Sequence, residues 1–222
     1  MNILLCEGKN DAWFFDELMN RRFANRKYYS YNEPNANKLK KLQEMCGDKC
    51  YDHIKDIYPL IIYGDSGKSE LLKILRRLIK EILGNDNHII MIRDEDDAPS
   101  DELNRIFREE LEAITRDKSA FTTIFPNLEG KDNQFIFNYP KGRGILKVGQ
   151  SIVPSSLEKQ IVKKTVELKR LKKSEILEME SHKALELLAK EYYGGDLQKL
   201  IRDSSEWLRT ETWITKIDCL VN

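Results

Sequence analysis

The chain has no excess of either charge. Its 222 residues carry 37 Lys and Arg against 37 Asp and Glu, a formal net charge of zero. No global field draws it towards nucleic acid or a membrane surface, so an anionic partner has to be met by a local patch or a bound cation. Long apolar runs are missing too: no stretch approaches the roughly 20 apolar residues that span a bilayer. Residues 1–7 have no basic leader and their apolar run stops at Glu7, which speaks against a signal peptide. The expectation is a soluble, cytoplasmic protein with no membrane partner. Histidine is scarce, and His53, His88 and His182 offer no credible Ser-His-Asp arrangement. Cysteines stand only at 6, 46, 50 and 219. Cys46, Cys50 and His53 supply three zinc ligands without a clear fourth, so ordinary reduced thiols are the simpler reading. Internal repeats and low-complexity linkers are absent as well.

Hydrophobic residues at 41% permit a sizeable core, and charged residues at 33% imply a solvated, ion-pair-rich surface. Residues 3–6, 58–63 and 88–92 are continuous apolar runs that read as buried strands, and 26–31 is aromatic and strand-like. Amphipathic helices fall between them. Phe14 and Leu18 lie one turn apart beside Trp13, and residues 38–45 suggest a short helix. Leu71, Leu72, Leu75, Leu78, Ile79 and Ile82 form one broad stripe, and Leu103, Ile106, Phe107, Leu111 and Ile114 form another. Residues 121–125 and 134–139 look like strands separated by 127–133, Gly142-Arg143-Gly144 is a turn, and the chain reads as helical from Ser155. The alternation predicts an α/β fold, Rossmann-like, with a mostly parallel sheet and helices on both faces. The expected division is an α/β domain over 1–154 and a helical extension over 155–222 packed on it.

Ligands of such sheets gather at the carboxyl ends of the strands. Glu7, Gly64 and Asp94 all fall at expected strand ends. Asp94 and Asp96 are two residues apart, so on a strand that persists to Asp96 both side chains point the same way. Two carboxylates held together repel unless a cation lies between them, and oxygen ligands of this kind suit Mg²⁺ or Mn²⁺. Glu7 completes the site from a second strand. Asp11, one turn further on, adds a ligand to a second ion or supports the first. Taken alone, residues 94–97 read equally well as a solvated acidic turn at the start of the next helix.

The company these residues keep resembles the Toprim family, over roughly residues 1–100 and more weakly over 121–160. Ile3-Leu4-Leu5-Cys6-Glu7-Gly8 fits the opening strand ending in Glu-Gly, and Asp11 fits the acidic residue that follows. Ile61-Ile62-Tyr63-Gly64 resembles the strand ending in a glycine turn, and Ile90-Met91-Ile92-Arg93-Asp94-Glu95-Asp96 the strand ending in Asp-x-Asp. Compact stand-alone Toprim proteins of archaea and bacteria, and the Toprim half of OLD-type nucleases, are the most similar members. Ser155-Ser156-Leu157-Glu158 looks like their downstream Ser/Glu motif, although Lys159 departs from its acidic residue. Asp97-Ala98-Pro99 lacks the turn found in primases, which speaks against primase activity, and no tyrosine fits the nucleophile of a type I topoisomerase. The resemblance implies a Mg²⁺- or Mn²⁺-dependent protein acting on phosphodiester bonds of DNA or RNA. Asp94, Asp96 and Glu7 hold the ion, with Glu7 alternatively the general base. Asp11 and Glu158 build a second position, and Lys68, Lys141 or Arg143 offsets developing charge.

Two other readings stay open. A non-catalytic Toprim-like module that binds nucleic acid or a protein partner, including a second copy, shows the same motifs. A P-loop is suggested by Gly67-Lys68-Ser69, but the pattern needs glycine at position 62, where Ile62 stands. Between 159 and 173 there are seven basic residues and one acid. Lys159, Lys163, Lys164, Lys169, Arg170, Lys172 and Lys173 either track a phosphate backbone or form a solvated helix face. Trp207 and Trp213 read as packing residues.

Overall fold

The computed structural model describes residues 1–22, 28–31, 60–64, 67–81, 87–96, 98–116, 127–131, 134–138, 145–171 and 173–221. The strands are β1 (Asn2–Cys6), β2 (Tyr28–Tyr31), β3 (Leu60–Gly64), β4 (Asn87–Asp94), β5 (Asn127–Lys131), β6 (Gln134–Asn138) and β7 (Ile145–Val153). They form one seven-stranded sheet in the order β2-β3-β1-β4-β7-β6-β5. The first five in that order run parallel, and β6 and β5 close the edge antiparallel. As the apolar runs predict, β1 sits between β3 and β4 and is parallel to both.

Helices cover both faces of the sheet. Strand alternation sends Ile3, Leu5, Ile61, Ile89 and Met91 to one side, where α2 (Lys68–Glu81) and α3 (Ser100–Arg116) bury their leucine stripes. Leu4, Cys6, Ile62, Ile90 and Ile92 face the other side. There α1 (Lys9–Arg22) packs together with α4 (Leu157–Lys169), α6 (Ser181–Tyr193), α7 (Leu197–Leu208) and α8 (Thr212–Val221). The short α5 (Lys173–Glu178) lies between α4 and α6. The helices after Ser155 thus share a core with α1 and the sheet. No helix among the described residues is long and apolar enough to cross a membrane.

Two elements depart from the periodicity. Residues 127–133 read as a connection, yet Asn127–Lys131 pairs antiparallel with β6 across residues 132–133. The hairpin partner overrides a locally polar, glycine-containing segment. Residues 145–153 read as no element at all, but form the longest strand and pair with β4 along its full length, from Asn87↔Leu146 to Asp94↔Val153. The expected strand at 121–125 and helix at 38–45 lie outside the described residues.

Gly64 closes β3 where α1 begins. A Cβ at this position would collide with the Gly8 carbonyl oxygen and lie 2.8 Å from the Ala12 Cβ. The absence of a side chain is therefore what lets the turn after β1 rest on β3. Gly64→Ala is expected to destabilise the fold by about 1–3 kcal/mol, as overpacking a filled interior does. Urea denaturation of the two proteins measures it.

Candidate functional site

Glu7 leaves the carboxyl end of β1 and is buried, 6% exposed. Two backbone contacts hold its turn. The Gly67 N–H donates to the Glu7 carbonyl at 2.8 Å, and the Gly8 N–H donates to Asp11 Oδ2 at 2.8 Å. The second is half of a capping box: the third residue of α1 reaches back to the N–H of the residue before it. Asp11 is buried as well.

Asp94 ends β4 beside this turn, 7% exposed. Its own N–H donates to Glu7 Oε1 at 3.2 Å, and its Oδ1 accepts from the Leu157 N–H at 3.2 Å. Leu157 is the first residue of α4, whose N-cap Ser156 accepts from the Lys159 N–H. The positive end of the α4 dipole therefore points at Asp94. One residue on, Glu158 Oε1 accepts from Asn10 Nδ2 at 3.1 Å, tying α4 to α1. The Asp11 and Glu158 proposed from sequence are thus brought to Glu7 and Asp94.

The electrostatics follow from that crowding. Burial first, then the charges of Asp11, Glu7 and Glu158, push the Asp94 carboxyl up to about 9, against the opposing hydrogen bond from Leu157. Burial, with Asp11, Glu7 and Asp94 nearby, also raises the Cys6 thiol well above its ordinary value, so it is held as an unreactive thiol. Arg93 is buried beside this group, with Nε 4.0 Å from Glu7 Oε1. Its Nη1 is enclosed and has no hydrogen-bond partner.

Asp96 is not in the group. The strand ends at Asp94, so the alternation that would have aligned both aspartates stops short. Asp96 lies in an exposed turn, where its Oδ1 accepts from Lys159 Nζ at 3.2 Å. The expected triad of Glu7, Asp94 and Asp96 is replaced by a cluster of Glu7, Asp11, Asp94 and Glu158. Among the described residues, no three His, Cys, Asp or Glu side chains stand in a geometry ready to hold a metal ion. The donors that do converge are all carboxylate oxygens, the chemistry of a hard cation such as Mg²⁺ or Mn²⁺.

The basic candidates are scattered. Lys68 opens α2. Lys141, Arg143, Cys46, Cys50 and His53 lie outside the described residues. On α4, Lys164 Nζ is 3.9 Å from Glu167 Oε2, Lys169 Nζ sits 5.3 Å from the Tyr192 ring centre, and Arg170 ends the helix in the left-handed conformation. Lys163 is exposed. Ile62 is fully buried inside β3, which removes the first glycine position of a phosphate-cradling loop. Trp213 is buried and Trp207 partly so, both against the core.

Sequence reading missed the parts of Arg93 and Asn10. Arg93 had a visible signal, a lone charge inside an apolar strand. Asn10 had none, because its partner is 148 residues away. No protein-family model, curated protein or solved structure matches the chain.

Proposed function

We propose that the protein is a Toprim-type, Mg²⁺-dependent phosphoryl-transfer protein, a nuclease acting on phosphodiester bonds of DNA or RNA. One observation carries this reading: four carboxylates, from the ends of two strands and the first turns of two helices, lie near one another where a parallel sheet collects ligands, and the burial and mutual repulsion there push Asp94 up to about 9. Such a group is held at a cost that a proton or a cation relieves. Perturbed groups of this kind cluster at functional sites.

Glu7, Asp11, Asp94 and Glu158 would hold the ion. When bound, it would polarise the phosphoryl oxygen and make water a better nucleophile. Alternatively, Glu7, positioned by the Asp94 N–H, would serve as general base for the attacking water in place of holding the ion. Arg93, buried beside Glu7, offsets part of the carboxylate charge gathered there. Lys68, Lys141 and Arg143 are candidates, on sequence grounds, for offsetting charge that develops on the phosphoryl group.

The test is cleavage of labelled single- and double-stranded DNA and RNA, with and without Mg²⁺ or Mn²⁺. Cleavage that depends on the metal supports the reading. A second reading, a non-catalytic module that binds nucleic acid or a protein partner, is favoured by the Asp96–Lys159 pair, which withdraws one expected ligand. Binding with no cleavage under any metal would select it. Under either reading, reversing the charges of Lys163, Lys164, Lys169 and Arg170 is expected to weaken nucleic-acid binding and flatten its dependence on salt. Unchanged affinity and slope would leave those residues as a solvated face.

A further inference from the structure

The carboxylate cluster does not use the cavity beside it. This cavity, about 340 Å³, lies between α4 and the segment from α5 to the start of α6. Its floor is apolar, with Val162 and Val166 buried on α4 and Ile176 partly buried on α5. Leu177 and Met179 stand at its edge, 45% and 40% exposed, large apolar side chains left uncovered. Lys159 and Lys163, one turn apart on α4, add positive charge to the same rim, and Glu167, one turn further on, places one acid at its far end.

The cavity and the cluster share a wall. Glu158 belongs to the cluster, and the next residue, Lys159, lines the cavity while holding Asp96 at 3.2 Å. Ser155, just before the α4 cap and at φ 61°, lines it too. The two sites therefore meet at the first turn of α4, and the cavity runs on from there to Glu167, about 13 Å along the axis. A ligand that spans them needs an anionic group, for the lysines and for the cation the cluster would hold, and a weakly polar body for the apolar walls. A nucleotide has both.

Resting on the nuclease reading above, we infer that this cavity takes one unstacked nucleoside of the substrate, which makes the substrate single-stranded nucleic acid. A base inside a duplex is stacked and paired and cannot enter without being extruded, at a cost of a few kcal/mol. A base in a single strand enters freely and exchanges water for Val162, Ile176 and Leu177. The lysine rim receives the flanking phosphate whatever the base, so sequence preference is weak.

Fluorescence anisotropy tests this with the full chain, in EDTA and in Mg²⁺, using labelled single-stranded DNA, single-stranded RNA and the DNA duplex of the same sequence. Leu177→Gln and Met179→Gln remove the apolar rim without changing charge, and both positions are exposed enough to spare the fold, which circular dichroism verifies. The wild type is expected to bind single strands at least about 10-fold more tightly than duplex. Each Gln variant is expected to weaken single-strand binding by about 3- to 10-fold, the loss of part of one apolar side chain's contact, with an unaltered salt slope. Lys163→Gln is expected to reduce that slope by about one. Gln variants that bind single strands as the wild type does would overturn the inference while leaving the nuclease reading intact. A wild type that binds neither form, and cuts neither, would overturn both. The DNA and RNA arms identify which sugar the cavity accepts.

Discussion

Asp94→Asn is expected to abolish metal-dependent cleavage, by about two orders of magnitude or more, while making the metal-free fold more stable at alkaline pH. Both effects come from the same crowding. The Asp94 carboxyl is pushed up to about 9 from an ordinary value of 3.8 by burial and by Asp11, Glu7 and Glu158. Between these values the folded protein keeps a proton that the unfolded chain has lost, so stability falls as pH rises. The contribution is fully present below about pH 4 and is lost as pH passes through about 9. One proton permits a slope of at most about 1.4 kcal/mol per pH unit. Asparagine has no proton to lose, so thermal melts of the variant in EDTA are expected to show a flatter pH profile across this window. Mg²⁺ acts in the opposite direction. At a hundredfold excess over its Kd it is expected to stabilise the wild type by about 3 kcal/mol, and the variant by much less. Equal metal-induced shifts in both proteins would place the ion elsewhere and remove the basis of the proposed function.

Trp213→Ala is expected to cost about 3–5 kcal/mol, a large share of the stability of a domain this size. Trp213 is 3% exposed on α8, stacked on Phe14 with ring centres 6.1 Å apart, and edge-on to Phe15 at 6.4 Å. Its carbonyl accepts from Ser151 Oγ on β7. Truncation leaves a cavity between α1, α8 and the sheet, directly behind the helix that carries Asp11. Trp213→Phe is the informative comparison. The indole Nε1 has no hydrogen-bond partner, so phenylalanine keeps the ring contact and removes an unsatisfied donor. It is expected to cost less than about 1.5 kcal/mol. Chemical denaturation separates the two, and equal losses would mean that the indole ring is not what joins α8 to α1.

The three central strands were legible because each is an unbroken apolar run, the mark of a strand buried on both faces. β7 was not, because Gly149, Gln150 and Ser151 interrupt its pattern at buried positions. Gln150 Nε2 donates to Asn104 Oδ1 and Ser151 Oγ to the Trp213 carbonyl, partners 46 and 62 residues away. Local periodicity carries no trace of such pairings. The site divides the same way. Glu7 and Asp94 were readable as acids ending apolar strands, and Asp11 and Glu158 from motif spacing. Asp96 was misplaced because tertiary contacts decide where β4 stops: the Glu95 N–H turns to the Val153 carbonyl, and Ser100 Oγ holds the Glu95 carboxylate. Arg93 was visible only as an interruption, because its carboxylate neighbour, Glu7, follows a different strand far earlier in the chain.

The pairing of α1 with α7 and α8 sets a timetable for synthesis. α1 is translated well before its partners, since the Arg202 that clasps Asp16 lies 186 residues downstream. Phe14 and Phe15 therefore emerge from the ribosome long before Trp213 exists to cover them. The nascent sheet carries one finished face and one bare, greasy one for most of its translation, the state that recruits chaperones or aggregates. Contacts so distant along the chain also slow closure, since the intervening loop must be restrained before they form. A message cut short before α7 yields not a smaller working domain but a sticky fragment with its first helix unclasped.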